Sequence, residues 1–255
     1  MYGWRGRIGL LVPSINTTME TEFWRLAPQG VSVHSARIAG GRHGTPEELR
    51  GMEHASKQAA KEVAMVEPDV VVYGCTSGSF FEGPAWNRKI CEQLTAITKA
   101  PTVTTAGAMA ACLMAGGQKK VDVVTPYVDV TNERLKHFLK AHGIEVVKLG
   151  AFDMLDMFDH AKIEPEAIYR KVKEIATPKA EAVFIACTQL RALEVVDMLE
   201  RDLGKPVYSA VQASAWQAFE AMSIDPRITD CGSLLRKLSE PGALKPPTKR
   251  LHKSA

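Results

Sequence analysis

Two short stretches of the chain each end a strand-like run in a cysteine that is followed by hydroxyl or amide residues. VVVYGCTSGSF, Val70 to Phe80, places Cys75 before Thr76 and Ser77; AVFIACTQLRA, Ala182 to Ala192, places Cys187 before Thr188 and Gln189. A thiolate is a nucleophile and a base, and a thiol is an acid, so a facing pair could add to a substrate or move its protons. Either cysteine alone has a packing explanation, because free cysteine fills buried strand ends well. The repeated context is what favours chemistry.

The elements that must hold the pair follow from apolar runs alternating with amphipathic stretches of helical period, the pattern of a parallel sheet covered by helices. Strands are predicted over 7–12, 31–38, 69–74, 101–106, 121–125, 145–151, 182–186 and 206–210. Pro13 and Pro126, Val33 and Val146, Cys75 and Cys187, and Pro101 and Pro206 recur in one order, 112 or 113 residues apart for the first three pairs and 105 for the fourth. That spacing reads as a duplicated unit. The expected fold is therefore α/β, with two pseudo-symmetric Rossmann-like halves, each a four-stranded parallel sheet flanked by helices, and the active site between them. The halves are placed at 1–118 and 119–240, and residues 241–255 are read as a disordered basic tail.

Thr45-Pro46-Glu47-Glu48 combines an N-cap, a proline at the first helical position and acids in the first turn, which predicts a helix reaching about Val66. Pro165-Glu166 opens its counterpart. The glycine-rich IAGGRHG, residues 38–44, lies just before the first of these helices and is either a plain connection or a lid. In this order both cysteines fall at carboxyl ends of parallel strands, where the next helix begins and where open α/β sheets bind ligands. A helix N-terminus is expected to lower each thiol's pKa and to hold an anion.

Composition narrows the partners. The formal charge is +3, but Lys245, Lys249, Arg250 and Lys253 lie within the last eleven residues, so the remainder carries about −1. That distribution excludes a nucleic-acid surface. The apolar segment TAGAMAACLMAGG is too short to cross a bilayer, and the apolar run in MYGWRGRIGLLVPS is too short for a signal peptide. A cytoplasmic chain with reduced cysteines is expected, with Cys91, Cys112 and Cys231 as packing residues. No HxxxH, HExxH or CxxC spacing is present, nor GxGxxG after the first strand, nor GxxxxGK[ST]. Neither a metal nor a cofactor is expected.

GLLVPSINTTMETE (9–22), YGCTSGSF (73–80), VTPYVD (124–129) and ACTQLRA (186–192) together resemble maleate cis-trans isomerase, within the aspartate/glutamate racemase superfamily that also holds arylmalonate decarboxylase. The resemblance covers about residues 5–235. The cysteine pair marks the superfamily, and PSxNTTxE with TPY marks the isomerase branch. Arylmalonate decarboxylases keep only the second cysteine. The resemblance implies that Cys75 adds as thiolate to the alkene of a small cis-dicarboxylate, and that Cys187 gives and removes the proton on the adjacent carbon. It also implies carboxylate contacts from Asn16, Thr76, Ser77, Tyr127, Thr188 and Gln189, none of them an arginine. For Asn16 a helix cap or turn role is an alternative, and for Tyr127 a core or interface position.

One departure stands out. The family's loop after the second strand of the C-terminal half carries an asparagine, whereas GAFDMLDMFDH has none, with Asp156 or Met157 in the region. The substrate is thus maleate or a close analogue. A homodimer or higher homo-oligomer is the expected assembly. The alternatives are a two-cysteine racemase or a decarboxylase on the same scaffold, and a noncatalytic carboxylate binder.

Overall fold

A computed structural model describes residues 2–238, 240, 242 and 243 of the chain. In the first half, β1 (Gly6–Pro13), α1 (Met19–Leu26), β2 (Val31–Ile38), α2 (Pro46–Ala64), β3 (Val70–Tyr73), α3 (Thr76–Phe80), α4 (Pro84–Thr98), β4 (Thr102–Thr104) and α5 (Thr105–Ala115) follow one another. The second half repeats the plan with β5 (Lys120–Thr125), α6 (Asp129–Ala141), β6 (Glu145–Ala151), α7 (Pro165–Ile175), β7 (Ala182–Ile185), α8 (Val196–Leu203), β8 (Val207–Ser209), α9 (Ala210–Met222) and α10 (Ser233–Leu238). The sheets run β2-β1-β3-β4 and β6-β5-β7-β8, with every pairing parallel. The two identical orders realise the pseudo-symmetry that the landmark spacings predict. The tail expected over 241–255 lies outside the described residues, apart from Gly242 and Ala243.

Local chemistry sets the element ends. Thr45 caps α2 in a full capping box: its side chain accepts from the Glu48 N–H while the Glu48 carboxylate accepts from the Thr45 N–H. The strands expected over 101–106 and 206–210 are shorter than that, covering 102–104 and 207–209. Thr104 and Ser209 are N-caps whose hydroxyls accept from Gly107 and Gln212, so the chain has turned helical by Thr105 and Ala210.

The helices that follow β4 and β8 are the equivalent α5 and α9. Both are rich in alanine and apolar nearly all round, as a helix buried on every side must be, and they pack along one another in the centre of the molecule. Small side chains there let the backbones approach closely. α9 also touches α1, β3 and β4, so the largest apolar cluster runs through both halves without a break.

Candidate active site

The loops leaving β1, β3, β5 and β7 converge on one cleft, and these are the inner two strands of each sheet. Strand order reverses direction at those positions, so two topological switch points face each other across the cleft. Its empty volume is about 480 Å³ including the mouth. Asn16, Cys75, Thr76, Ser77, Tyr127, Cys187, Thr188 and Gln189 all line it.

Cys75 lies two residues past β3 as the N-cap residue of α3, where its Sγ accepts from the Gly78 N–H at 3.3 Å and lies 3.8 Å from Ser77 Oγ. These donors favour the thiolate, but burial outweighs them and pushes the Cys75 thiol pKa up. Cys187 is likewise pushed up to about 12, chiefly by burial, against the Gln189 N–H and the Tyr127 hydroxyl. This corrects the expectation of lowered thiol pKa values: both groups are thiols in the resting cleft. A second correction concerns Cys187, which does not begin a helix. The chain after β7 makes a turn and a 3-10 segment, Ala192–Glu194, before α8 starts at Val196. The anion environment around Cys187 therefore comes from turn N–H groups rather than a helix end.

Cys187 has φ of 150°, a conformation that costs an L residue about 1–3 kcal/mol and gathers at functional sites. Both Cys187→Gly and Cys187→Ala remove the thiol, but only glycine relaxes the backbone. Glycine's extra unfolded-state entropy offsets about 0.5–1 kcal/mol of the gain. Cys187→Gly is expected to be more stable than Cys187→Ala by about 1 kcal/mol in urea unfolding, and equal stabilities would mean that the backbone there is unstrained.

The two halves are stitched together beside the thiols. Gln189 donates from Nε2 to the Ile15 carbonyl at 3.0 Å and accepts from the Thr17 N–H at 2.9 Å, while Thr18 donates to the Gln189 carbonyl at 2.9 Å. Asn16 does double duty. Its Oδ1 accepts from the Thr18 and Met19 N–H groups at the start of α1, and its Nδ2 donates to Thr188 Oγ1 at 3.0 Å. Thr188 in turn donates to the Gly74 carbonyl at 3.1 Å. Tyr127 is buried, with its ring edge-on to Phe80 and to His160 and its hydroxyl within reach of Cys187 and Thr76.

The loop 38–44 crosses the cleft. Gly40 and Gly41 line it, and Arg42 reaches the opposite half, donating from Nε and Nη2 to the Asp156 carboxylate at 3.1 and 2.6 Å. The Arg42 carbonyl accepts from the Met157 N–H at 2.7 Å, and the Arg42 guanidinium sits 5.0 Å over the Phe158 ring. Arg42 holds the Asp156 carboxyl below its ordinary pKa. A Cβ on Gly41 would stand 1.8 Å from Glu48 Oε1, so a larger residue there would displace the Glu48 side chain that completes the α2 capping box.

Sequence reasoning missed His160. It is 2% exposed, lines the cleft, and lies with Nδ1 3.8 Å from Cys187 Sγ and Nε2 3.1 Å from the Met154 carbonyl. Burial lowers its pKa. It closes the same GAFDMLDMFDH loop in which the asparagine is missing. That coincidence was the available signal, because a loop histidine has no periodicity to mark it. Met157 from the same loop also reaches the cleft, while Asp156 is held by Arg42. Among the described residues no group of His, Cys, Asp and Glu is arranged to hold a metal ion, and no helix is long and apolar enough to cross a membrane.

Duplicated parallel α/β halves that each bring a cysteine to a shared cleft define the class of protein. The arylmalonate decarboxylase family model matches residues 8–235. Maleate isomerase of Alcaligenes faecalis is 30% identical over 243 residues, covering 90% of this chain and 96% of its own. The crystal structure of a variant of the maleate isomerase Iso from Pseudomonas putida S16 with maleate superposes with a TM-score of 0.86 at 32% identity, covering 90% of this chain and 97% of that one. A serine variant of Nocardia farcinica maleate cis-trans isomerase, carrying a covalently bound succinylcysteine intermediate, superposes with a TM-score of 0.86 at 27% identity over 91% and 98% of the two chains. The chain belongs to the arylmalonate decarboxylase family, on its maleate isomerase branch.

Proposed function

We propose that this protein isomerises maleate, or a close cis-dicarboxylate, to the trans isomer by reversible thiol addition. The observation that carries the reading is one buried cysteine from each half at a single cleft, in a chain whose relatives are maleate isomerases. Cys75, as thiolate, forms a C–S bond to one alkene carbon while Cys187 gives its proton to the other. The former double bond is now single and rotates. Cys187 then takes a proton back, the C–S bond breaks, and the trans alkene leaves.

Asn16, Tyr127 and the Thr76-Ser77 and Thr188-Gln189 turns hold the two carboxylates through neutral donors, a preorganised form of anion stabilisation. The loop 38–44, fastened by Arg42 to Asp156, shuts the cleft over the substrate and keeps water from the intermediate. The residues 1–118 and 119–240 act as the two jaws. A cytoplasmic homo-oligomer completes the reading. Five unpaired cysteines support the compartment, and the exposed aromatics Tyr2, Trp4 and Trp24 around one surface hollow support the assembly.

Proton NMR of the purified protein with maleate, EDTA and no added nucleotide tests this. The cis vinyl signal is expected to give way to the trans one with total dicarboxylate constant. Carbon dioxide release from an arylmalonate, or deuterium exchange at the α-carbon of a chiral acid, with no trans alkene from any cis-dicarboxylate, would replace the isomerase with the decarboxylase or racemase alternative.

A further inference from the structure

The resting cleft has a proton too many. Burial keeps both cysteines protonated, yet addition to an alkene needs one thiolate and one thiol. A carbonyl oxygen only accepts, so the Nε2 that meets the Met154 carbonyl carries a hydrogen, and in the neutral ring Nδ1 is then a bare lone pair. That lone pair faces Cys187 Sγ. We propose that His160 is the proton store of the cysteine pair, taking up at Nδ1 the one proton that the two thiols must shed before Cys75 can attack.

The inference rests on the isomerase reading. The Cys187 S–H bond breaks, its electron pair stays on sulfur, and an N–H bond forms at Nδ1. The Cys187 thiolate then takes the proton of Cys75, and the charge of the resulting Cys75 thiolate raises the Cys187 pKa and keeps the proton there. The result is a Cys75 thiolate, a Cys187 thiol and a His160 imidazolium, with no change in net charge. His160 acts through Cys187 and is a positioning residue, not a group that bonds substrate.

The surroundings suit a ring that is neutral when the cleft is empty and charged when it is filled. Burial opposes the imidazolium, whereas Asp156 and Asp159 on its own loop favour it. Both carboxylates are shared, Asp156 with Arg42 and Asp159 with Lys162. From other elements Cys187 and the Tyr127 ring face the imidazole. Among the described residues lining the cleft, His160 is the one side chain that can become a cation. A dicarboxylate dianion entering this site favours the imidazolium by its charge, while the Gly78 N–H and Ser77 hydroxyl support the Cys75 thiolate, so that substrate binding shifts the surplus proton onto Nδ1.

Two measurements decide it. In long-range proton–nitrogen NMR of the labelled native protein, with His160→Asn used for assignment, the ring should carry hydrogen on Nε2 alone when free. It should carry hydrogen on both nitrogens when saturated with succinate, a dicarboxylate that has no alkene. In His160→Asn itself, kcat/KM for maleate should fall about 10²–10⁴-fold at neutral pH. The deficit should shrink as pH rises, because hydroxide then removes the surplus proton. A ring that stays neutral with succinate bound overturns the proposal, as does a variant deficit that is the same at every pH. If the variant does not fold, chemical shifts in the native protein assign the ring and the succinate titration decides alone. A native protein that charges His160 on binding succinate but leaves maleate unchanged keeps the proton store and removes the isomerase reading.

Discussion

Cys75→Ser is expected to fold normally and to lose isomerase activity by roughly 10⁴-fold or more, about 5 kcal/mol of transition-state stabilisation. Serine is close to isosteric and keeps a group that can accept from the Gly78 N–H at the start of α3, so the cap survives. What is lost is the nucleophile. A hydroxyl is far less acidic than a thiol, and the same burial that raises the Cys75 pKa suppresses an alkoxide further. Circular dichroism and the maleate NMR assay on one preparation separate the two effects. A folded serine variant with near-native turnover would remove Cys75 from the chemistry.

Cys187→Ser is expected to stop the cycle at a different point. Cys75 can still add slowly, its own proton ending on the adjacent carbon, while the thiolate strong enough to take that proton back for elimination is gone. Turnover should drop by roughly 10³-fold or more, and the succinyl-thioether should accumulate on Cys75. Intact-protein mass spectrometry after incubation with maleate would then show a gain equal to one maleic acid, absent from Cys75→Ser and from the double variant. The double variant should be scarcely slower than either single one, since the two thiols serve one sequence of bond changes. Additive losses with no adduct would separate their roles.

The parts of this protein legible in its sequence are those written locally. Strand-forming runs, the Thr45-Glu48 capping box, the opening of α7 at Pro165 and the equal spacing of Cys75 and Cys187 all follow from residues near one another or from a repeated pattern. The thiol pKa values were not legible, because a cap position predicts lowering while the depth of burial, which decides the sign, depends on elements far along the chain. Cys187 misled for a related reason: β7 is followed by a turn that looks in sequence like the start of a helix, and only the clamp of Gln189 on Ile15 and Thr17 shows what that turn is for. The Arg42–Asp156 pair joins loops 114 residues apart and His160 meets Cys187 from 27 residues earlier, and no local rule links such positions.

The seam between the halves has a consequence for how the molecule comes apart. One jaw's backbone is held by the other jaw's Gln189, and α5 lies along α9 with small side chains between them. Neither sheet can loosen without uncovering apolar surface on its counterpart and pulling the Asn16 loop away from Thr188. The duplication has thus surrendered modularity: the halves are expected to melt in one cooperative transition, and the spacing between the thiols is a property of the seam. A change at the α5–α9 contact, remote from any substrate atom, would be felt as a misalignment of the sulfur atoms before it was felt as a loss of fold.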